Sequence, residues 1–341
     1  MQHYFRQNLM VSALLVAVLF LLPLTAAKRE SIEVPSEEPE YAEPVEPPAA
    51  AKQPDAQITL RVLHGEQVEE MMLNDYLIGV VRAEMPASFE IEALKAQAAA
   101  ARTYTLHKLR NGGGHGETAD ICTKSTCCQA YIDEETAREN WGKEAAAYEK
   151  KVADAVHETD GQAILYGGEP ILAVFHASSA GLTRPAAEVW SGDLPYLQAV
   201  PSVEGEDIPN YYSRMEFTPE EFKSRILAVW EGADLSGKIA AWLKNAETDA
   251  AGSVKTVEVG GIAVRGTQLR AALGLRSACF TWEIQNGNIV FFVTGYGHGV
   301  GLSQCGANQM AKDGADWKEI LMHYYTGVSV GAYRFTNDSQ A

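Results

Sequence analysis

The chain has 341 residues, 46% of them hydrophobic, with 28 Lys+Arg against 45 Asp+Glu and a formal net charge of −17. The apolar content supplies a buried core and excludes wholesale disorder, while the length allows one large domain or two modest ones. The acidity excludes a nucleic-acid role, because neutralising phosphates needs a basic face.

That charge is unevenly spread. Residues 1–27 carry only Arg6, residues 28–57 carry eight acids against three bases, and the remainder carries −13. Leu9 to Ala27 is a run of 19 uncharged residues, and at about 1.5 Å per residue a helix of that length spans a hydrocarbon core of roughly 30 Å. It reads as a single-pass membrane anchor, with a signal segment ending near Leu24-Thr25-Ala26 as the alternative; either places the following chain outside the cytoplasm. Lys28 to Gln57 holds six of the 14 prolines among Glu-rich spacers. Such a segment cannot bury enough surface to fold and reads as an acidic tether. Residues 58–335 then form the folded domain, with 336–341 as a tail.

Ile58 to Leu63 has the composition of a strand. Asn74 is placed to cap a helix whose one face carries Leu77, Val80, Val81 and Glu84 before Pro86 stops it. A second helix runs from about Glu90 to Leu109, with an alanine-rich surface suited to close packing. Ala163 to Phe175 reads as a hairpin turning at Gly167-Gly168, and Thr256 to Val264 as another at Gly260-Gly261. A third turns at Asn286-Gly287-Asn288, between Phe280 to Ile284 and Ile289 to Val293. Thr218-Pro219-Glu220-Glu221 is a capping box opening a helix that includes Phe222, Ile226 and Trp230. Elsewhere strands are expected. Helices bracketing consecutive hairpins favour an α+β fold, one domain around a cleft, without internal repeats.

Glu84 is where a local rule breaks, for its spacing puts a carboxylate on an apolar stripe. Desolvation there raises a carboxyl pKa, as a general acid working near neutral pH requires; the plain alternative is a helix-terminal Glu reaching solvent. Arg102, with Thr103 and Tyr104, can hydrogen-bond a polyhydroxyl ligand. His115, Cys122, Cys127 and Cys128 form a plausible tetrahedral zinc set, with a disulfide or free thiols as the other readings. The Gly295 to Gly301 loop lacks the Lys of a phosphate cradle. His298 within it, and His176 and Ser178 after a hairpin strand, suit either structural hydrogen bonding or carbohydrate contact. Cys305 reads as a small buried hydrophobe, and His323, Tyr324 and Tyr325 as core.

Five segments together resemble the stage II sporulation protein D family. They are Glu84-Met85-Pro86-Ala87; Glu92 to Ala98 continuing through Ala101-Arg102-Thr103-Tyr104; Phe175 to Gly181; Gly297 to Gln304; and His323 to Val328. The resemblance implies a lytic transglycosylase that cuts peptidoglycan glycan strands, with Glu84 as acid/base and no cofactor for the chemistry. It implies substrate contacts by Arg102, His176, Ser178, Tyr196, His298, Ser303 and Gln304. Some relatives bind zinc in the same loop before Gln-Ala-Tyr, so His115, Cys122, Cys127 and Cys128 become candidate ligands of a structural zinc. Two departures stand out: Cys127 replaces a His of that loop, and Gln198 replaces the Lys of a Tyr-Leu-Lys segment. The resemblance further implies work during engulfment at the mother-cell membrane, facing the intermembrane space. Its implied partners are the amidase stage II sporulation protein P and the membrane protein stage II sporulation protein M. A non-catalytic amidase enhancer and a glycan-binding module are the rival functions.

Overall fold

The computed structural model describes residues 54–190, 192–204, 208–209 and 211–335. The expected anchor, most of the tether and the tail lie outside the described residues. Among those described, no helix is long and apolar enough to cross a membrane.

Strands β1 (Thr59–His64) and β2 (Gln67–Met72) form an antiparallel hairpin, and β3 (Ile121–Cys122) pairs parallel to β1. Helix α1 (Leu73–Glu84) buries Leu73, Tyr76, Leu77, Gly79, Val80 and Val81. Asn74 does not cap it: the helix starts one residue earlier, Met72 precedes it, and Asn74 donates to the Asp75 carboxylate instead. Pro86 excludes the helical region for Met85, which turns extended at φ −128, ψ 135 and so makes Glu84 the last helical residue. Helix α2 (Ile91–Arg110) is the hub, with Ala96 and Ala98 to Ala101 fully buried. Side chains that end at Cβ let neighbouring helices approach closely, and none of them loses rotamer freedom on burial.

Helices α3 (Glu134–Trp141) and α4 (Ala145–Glu158) occupy a stretch for which strands were expected. Their signals are in the sequence nonetheless. Asp133 caps α3 by accepting from the Thr136 amide, and Val152, Ala155 and Val156 repeat at helical spacing on the buried face of α4. The expected hairpin follows as β4 (Gln162–Tyr166) and β5 (Glu169–Pro170). It stops there, and β6 (Phe175–His176) belongs to a separate pairing. A short helix α5 (Ala186–Val189) precedes the second part of the molecule.

That part begins with β7 (Tyr212–Phe217) and helix α6 (Pro219–Leu227), whose capping box forms as expected, although Trp230 lies beyond its end. Strands β8 (Leu243–Thr248), β9 (Val254–Val259) and β10 (Ile262–Arg265) form one antiparallel sheet, ordered β10-β9-β8. After α7 (Gly266–Leu273), β11 (Phe280–Gln285) and β12 (Asn288–Thr294) pair with β7 in the order β11-β12-β7. Asn286 and Gly287, both at positive φ, make the hairpin turn between them. These elements enclose their own core, centred on Phe217, Phe222, Trp242, Leu269 and Phe291. The Gly295 amide donates to the Tyr211 carbonyl at 2.8 Å, so the chain enters and leaves this second core side by side.

The chain then returns to the first core. Strand β13 (Leu302–Ser303) pairs parallel to β6, helices α8 (Gln304–Lys312) and α9 (Trp317–Tyr324) pack on α2, and β14 (Ser329–Ala332) pairs with β4. Tyr324 and Tyr325 are fully buried, as expected.

Candidate functional site

The end of α1, the loop after β3, the α5 region, the glycine-rich loop and the start of α8 converge on a cleft of about 740 Å³. Glu84 lines it and is the only carboxylate that does so among the described residues. Its Oε1 accepts from the Ala130 amide at 2.6 Å, and the Gln304 side chain is a second partner. Burial raises its pKa above the ordinary carboxylate value in spite of both hydrogen bonds. A carboxyl held protonated toward neutral pH at the wall of an open cleft can donate a proton there.

Gln304 is set in place by what precedes it. Ser303 is the N-cap of α8, accepting from the Gly306 amide, and its hydroxyl donates to Glu204. Glu204, only 4% exposed, also accepts from the Ser179 amide at 2.7 Å and from the hydroxyls of Ser179 at 2.5 Å and Ser202 at 2.9 Å. This buried carboxylate was not anticipated. Its neighbours come from three distant segments, so no local spacing announces it.

His176 and His298 line the cleft with ring centroids 5.5 Å apart. Burial, together with positive charge nearby, drives both toward the neutral form, to about 3 for His176 and about 4 for His298. His176 faces the Val300 carbonyl and His298 accepts from the Val300 amide, so both rings are oriented by backbone. Trp190, 36% exposed, stands 5.2 Å from His298, and Tyr296, 48% exposed, lines the same wall. Partly exposed aromatic rings in a cleft offer flat apolar faces with a polar edge, and neither residue was singled out from sequence.

Other expected contacts lie elsewhere. Arg102 is fully buried, pairing with Asp55 at 2.7 Å and donating to Thr159 and the Val156 carbonyl. It is a core strut, and Asp55, expected in the tether, is its buried counter-ion. Tyr196 is buried with its hydroxyl accepting from the Leu172 amide, and Ser303 is buried beneath the cleft. Ser178 lines a small separate void, and its backbone bridges Tyr296. Of the seven expected contacts, His176, His298 and Gln304 line the cleft. The glycines of the 295–301 loop serve internal packing, because a Cβ on Gly297 would sit 2.6 Å from His176 and one on Gly301 would sit 2.2 Å from the Val174 carbonyl oxygen. Their φ values of 119° and 71° are likewise ones that side chains rarely adopt.

On the opposite lip, Cys127, Cys128 and Gln129 lead directly to Ala130. The candidate ligand atoms of His115, Cys122, Cys127 and Cys128 all lie within 4.8 Å of one another. His115 Nε2 is 3.6 Å from Cys127 Sγ and 3.8 Å from Cys128 Sγ, and the two sulfurs are 3.8 Å apart. Four zinc bonds of about 2.0–2.3 Å in a tetrahedron set ligand atoms roughly 3.5–3.8 Å apart, so the donor set fits zinc in chemistry and in size. All five cysteines are free thiols in this structure.

A family profile described as Stage II sporulation protein matches residues 64–166. Stage II sporulation protein D of Bacillus amyloliquefaciens is 33% identical over 335 residues, covering 95% of this chain and 93% of that protein. The protein of the same name from Bacillus subtilis (strain 168) is 33% identical over 320 residues, covering 93% and 92%. A Bacillus subtilis protein named Amidase enhancer is 28% identical over 307 residues, covering 75% of this chain and 40% of that protein.

Proposed function

Because the chain belongs to the stage II sporulation protein D family, we propose that the cleft binds peptidoglycan glycan strands and that Glu84 cleaves them by lytic transglycosylation. The supporting observation is a single half-buried carboxylate of raised pKa in a large cleft. Hydrolases of glycosidic bonds ordinarily use two carboxyl groups. A transglycosylase uses the muramic C6 hydroxyl as an internal nucleophile, and the high effective molarity of a tethered group replaces the second carboxylate. Glu84 protonates the glycosidic oxygen as the bond to the muramic C1 breaks. As the carboxylate it then accepts the O6 proton while O6 bonds to C1, leaving a 1,6-anhydro end and regenerating the acid. The Ala130 amide holds Glu84 in position and stabilises its anionic phase. His176 and His298, kept neutral, face the sugars as hydrogen-bonding groups.

Full-length protein in detergent, incubated with stem-peptide-free glycan strands, is expected to release 1,6-anhydro ends detectable by mass spectrometry. Glu84→Gln is expected to lower that rate by about 10²–10⁴-fold while retaining glycan binding. A Gln variant as active as its parent overturns the mechanism. The likeness to the protein named Amidase enhancer favours one alternative, a non-catalytic glycan binder that acts on an amidase; binding without anhydro products would support it.

His115, Cys122, Cys127 and Cys128 would hold a structural zinc ion, which supplies a cross-link for the loop that ends at Ala130. About one zinc per chain is expected by metal analysis, lost in Cys122→Ser; a metal-free parent protein removes this assignment. The family resemblance also supports an extracytoplasmic, membrane-anchored role in engulfment, beside the amidase stage II sporulation protein P and the membrane protein stage II sporulation protein M.

A further inference from the structure

The Glu84 cleft continues past Arg270 and Tyr296 into a second hollow of about 470 Å³, which these two residues share with Thr267 and Arg276. No acidic side chain lines the second hollow. The Arg276 guanidinium lies over the Tyr296 ring at 5.2 Å, and its Nη1 is buried without a hydrogen-bond partner. Arg270 is aimed by its Nε, which donates to the Leu275 carbonyl at 3.2 Å. The Gly297 amide donates to the Arg276 carbonyl, tying this wall to the loop that carries His298.

Elsewhere in this acidic protein, buried or half-buried arginines are matched with carboxylates: Arg82 with Glu149, Arg102 with Asp55, Arg184 with Asp249. Arg270 and Arg276 have no carboxylate at ion-pairing distance among the described residues. Two guanidinium groups held close together, partly withdrawn from water and lacking counter-ions, carry an electrostatic cost that a bound anion would relieve. A guanidinium fork fits a carboxylate in bidentate fashion, and a fork already stacked on an aromatic ring loses little freedom on binding.

We infer that Arg270 and Arg276, with Tyr296 between them, form a subsite for a carboxylate carried on the glycan itself, one or more sugars from the bond presented to Glu84. This rests on the glycan reading proposed above. The carboxylate available on such a strand is that of the muramic lactyl ether. It is free when the stem peptide has been removed and is a neutral amide when the peptide remains. The subsite therefore reads the state of the substrate through charge: a stripped strand brings an anion to the two arginines, and a substituted strand brings an uncharged, bulkier group.

The test compares three probes on the full chain in detergent: stripped glycan strands, the same strands with their lactyl carboxylates converted to methylamides, and neutral N-acetylglucosamine oligomers of equal length. The stripped strand is expected to bind about tenfold tighter than the methylamide strand, as loss of one charge-assisted contact implies. That ratio should shrink with added salt and fall to near one in Arg276→Gln and in Arg270→Gln. If stripped and amidated strands bind the parent protein equally, the subsite is refuted and the glycan reading stands. If the preference survives in both variants, the carboxylate is read elsewhere and the subsite is again refuted. If none of the three probes binds, the glycan reading falls and this inference with it. The parent-protein comparison needs no substitution, so a variant that misfolds does not decide the outcome.

Discussion

Glu84 occupies a position that a helix would normally give to an apolar residue, and its chemistry follows from that placement. Burial raises its pKa, so the protonated form needed for acid catalysis persists to a higher pH than for a free carboxyl group. The profile of kcat/KM against pH should therefore fall on its alkaline side with an apparent pKa above the ordinary 4.5. An alkaline limb that lies at or below 4.5 would contradict the assignment of Glu84 as the acid. Glu84 was legible in sequence because three apolar residues at helical spacing point to it. Trp190, Arg270 and Glu204 were not, because what makes each one notable is a neighbour from far along the chain. Arg102 misled for the same reason: its position beside a polar pair on α2 suggested a ligand contact, whereas Asp55, 47 residues earlier, is what it meets.

At the level of elements, the hairpins and the two first helices could be read from turn residues and periodicity, since both are local signals. The β6–β13 pairing could not, because two-residue strands carry no periodicity and this one joins Phe175 to Leu302. The Arg102–Asp55 pair anchors the segment before β1 to α2 and the end of α4. Arg102→Ala would leave Asp55 buried and unpaired, and a loss of about 3–5 kcal/mol in unfolding free energy is expected. Denaturant unfolding measures it, and KM for glycan in the folded fraction should be unaltered. A selective rise in KM at unchanged stability would instead restore Arg102 to the cleft. The junction of α1 with the loop that follows β3 is equally tight: a Cβ on Gly79 would lie 2.1 Å from the Tyr131 ring, next to the Ala130 amide that holds Glu84.

Over the whole molecule, titrating groups pull stability in opposite directions. His176 and His298 are held neutral in the folded state, at about 3 and about 4 against an ordinary 6.5. Their stabilising effect is complete above about pH 6.5 and is lost as pH falls, because the unfolded chain then binds protons that the folded chain refuses. Glu84 and Glu204, both raised by burial, act the other way, with stability lost as pH rises from about 4.5 through their folded-state values. His298→Gln should flatten the acid-side decline of the thermal midpoint between pH 6.5 and 4, a difference of about 3 kcal/mol in stability; an unchanged decline would show that His298 is not its source. The second core, whose strands and turns were largely readable, enters and leaves through Tyr211 and Gly295, hydrogen-bonded neighbours. Its two ends meet as closely as those of a hairpin. It can thus lengthen, shrink or be exchanged without moving Glu84, while Arg270 and Arg276 travel with it. The machinery that cuts and the surface that selects what is cut are, in this architecture, free to evolve apart.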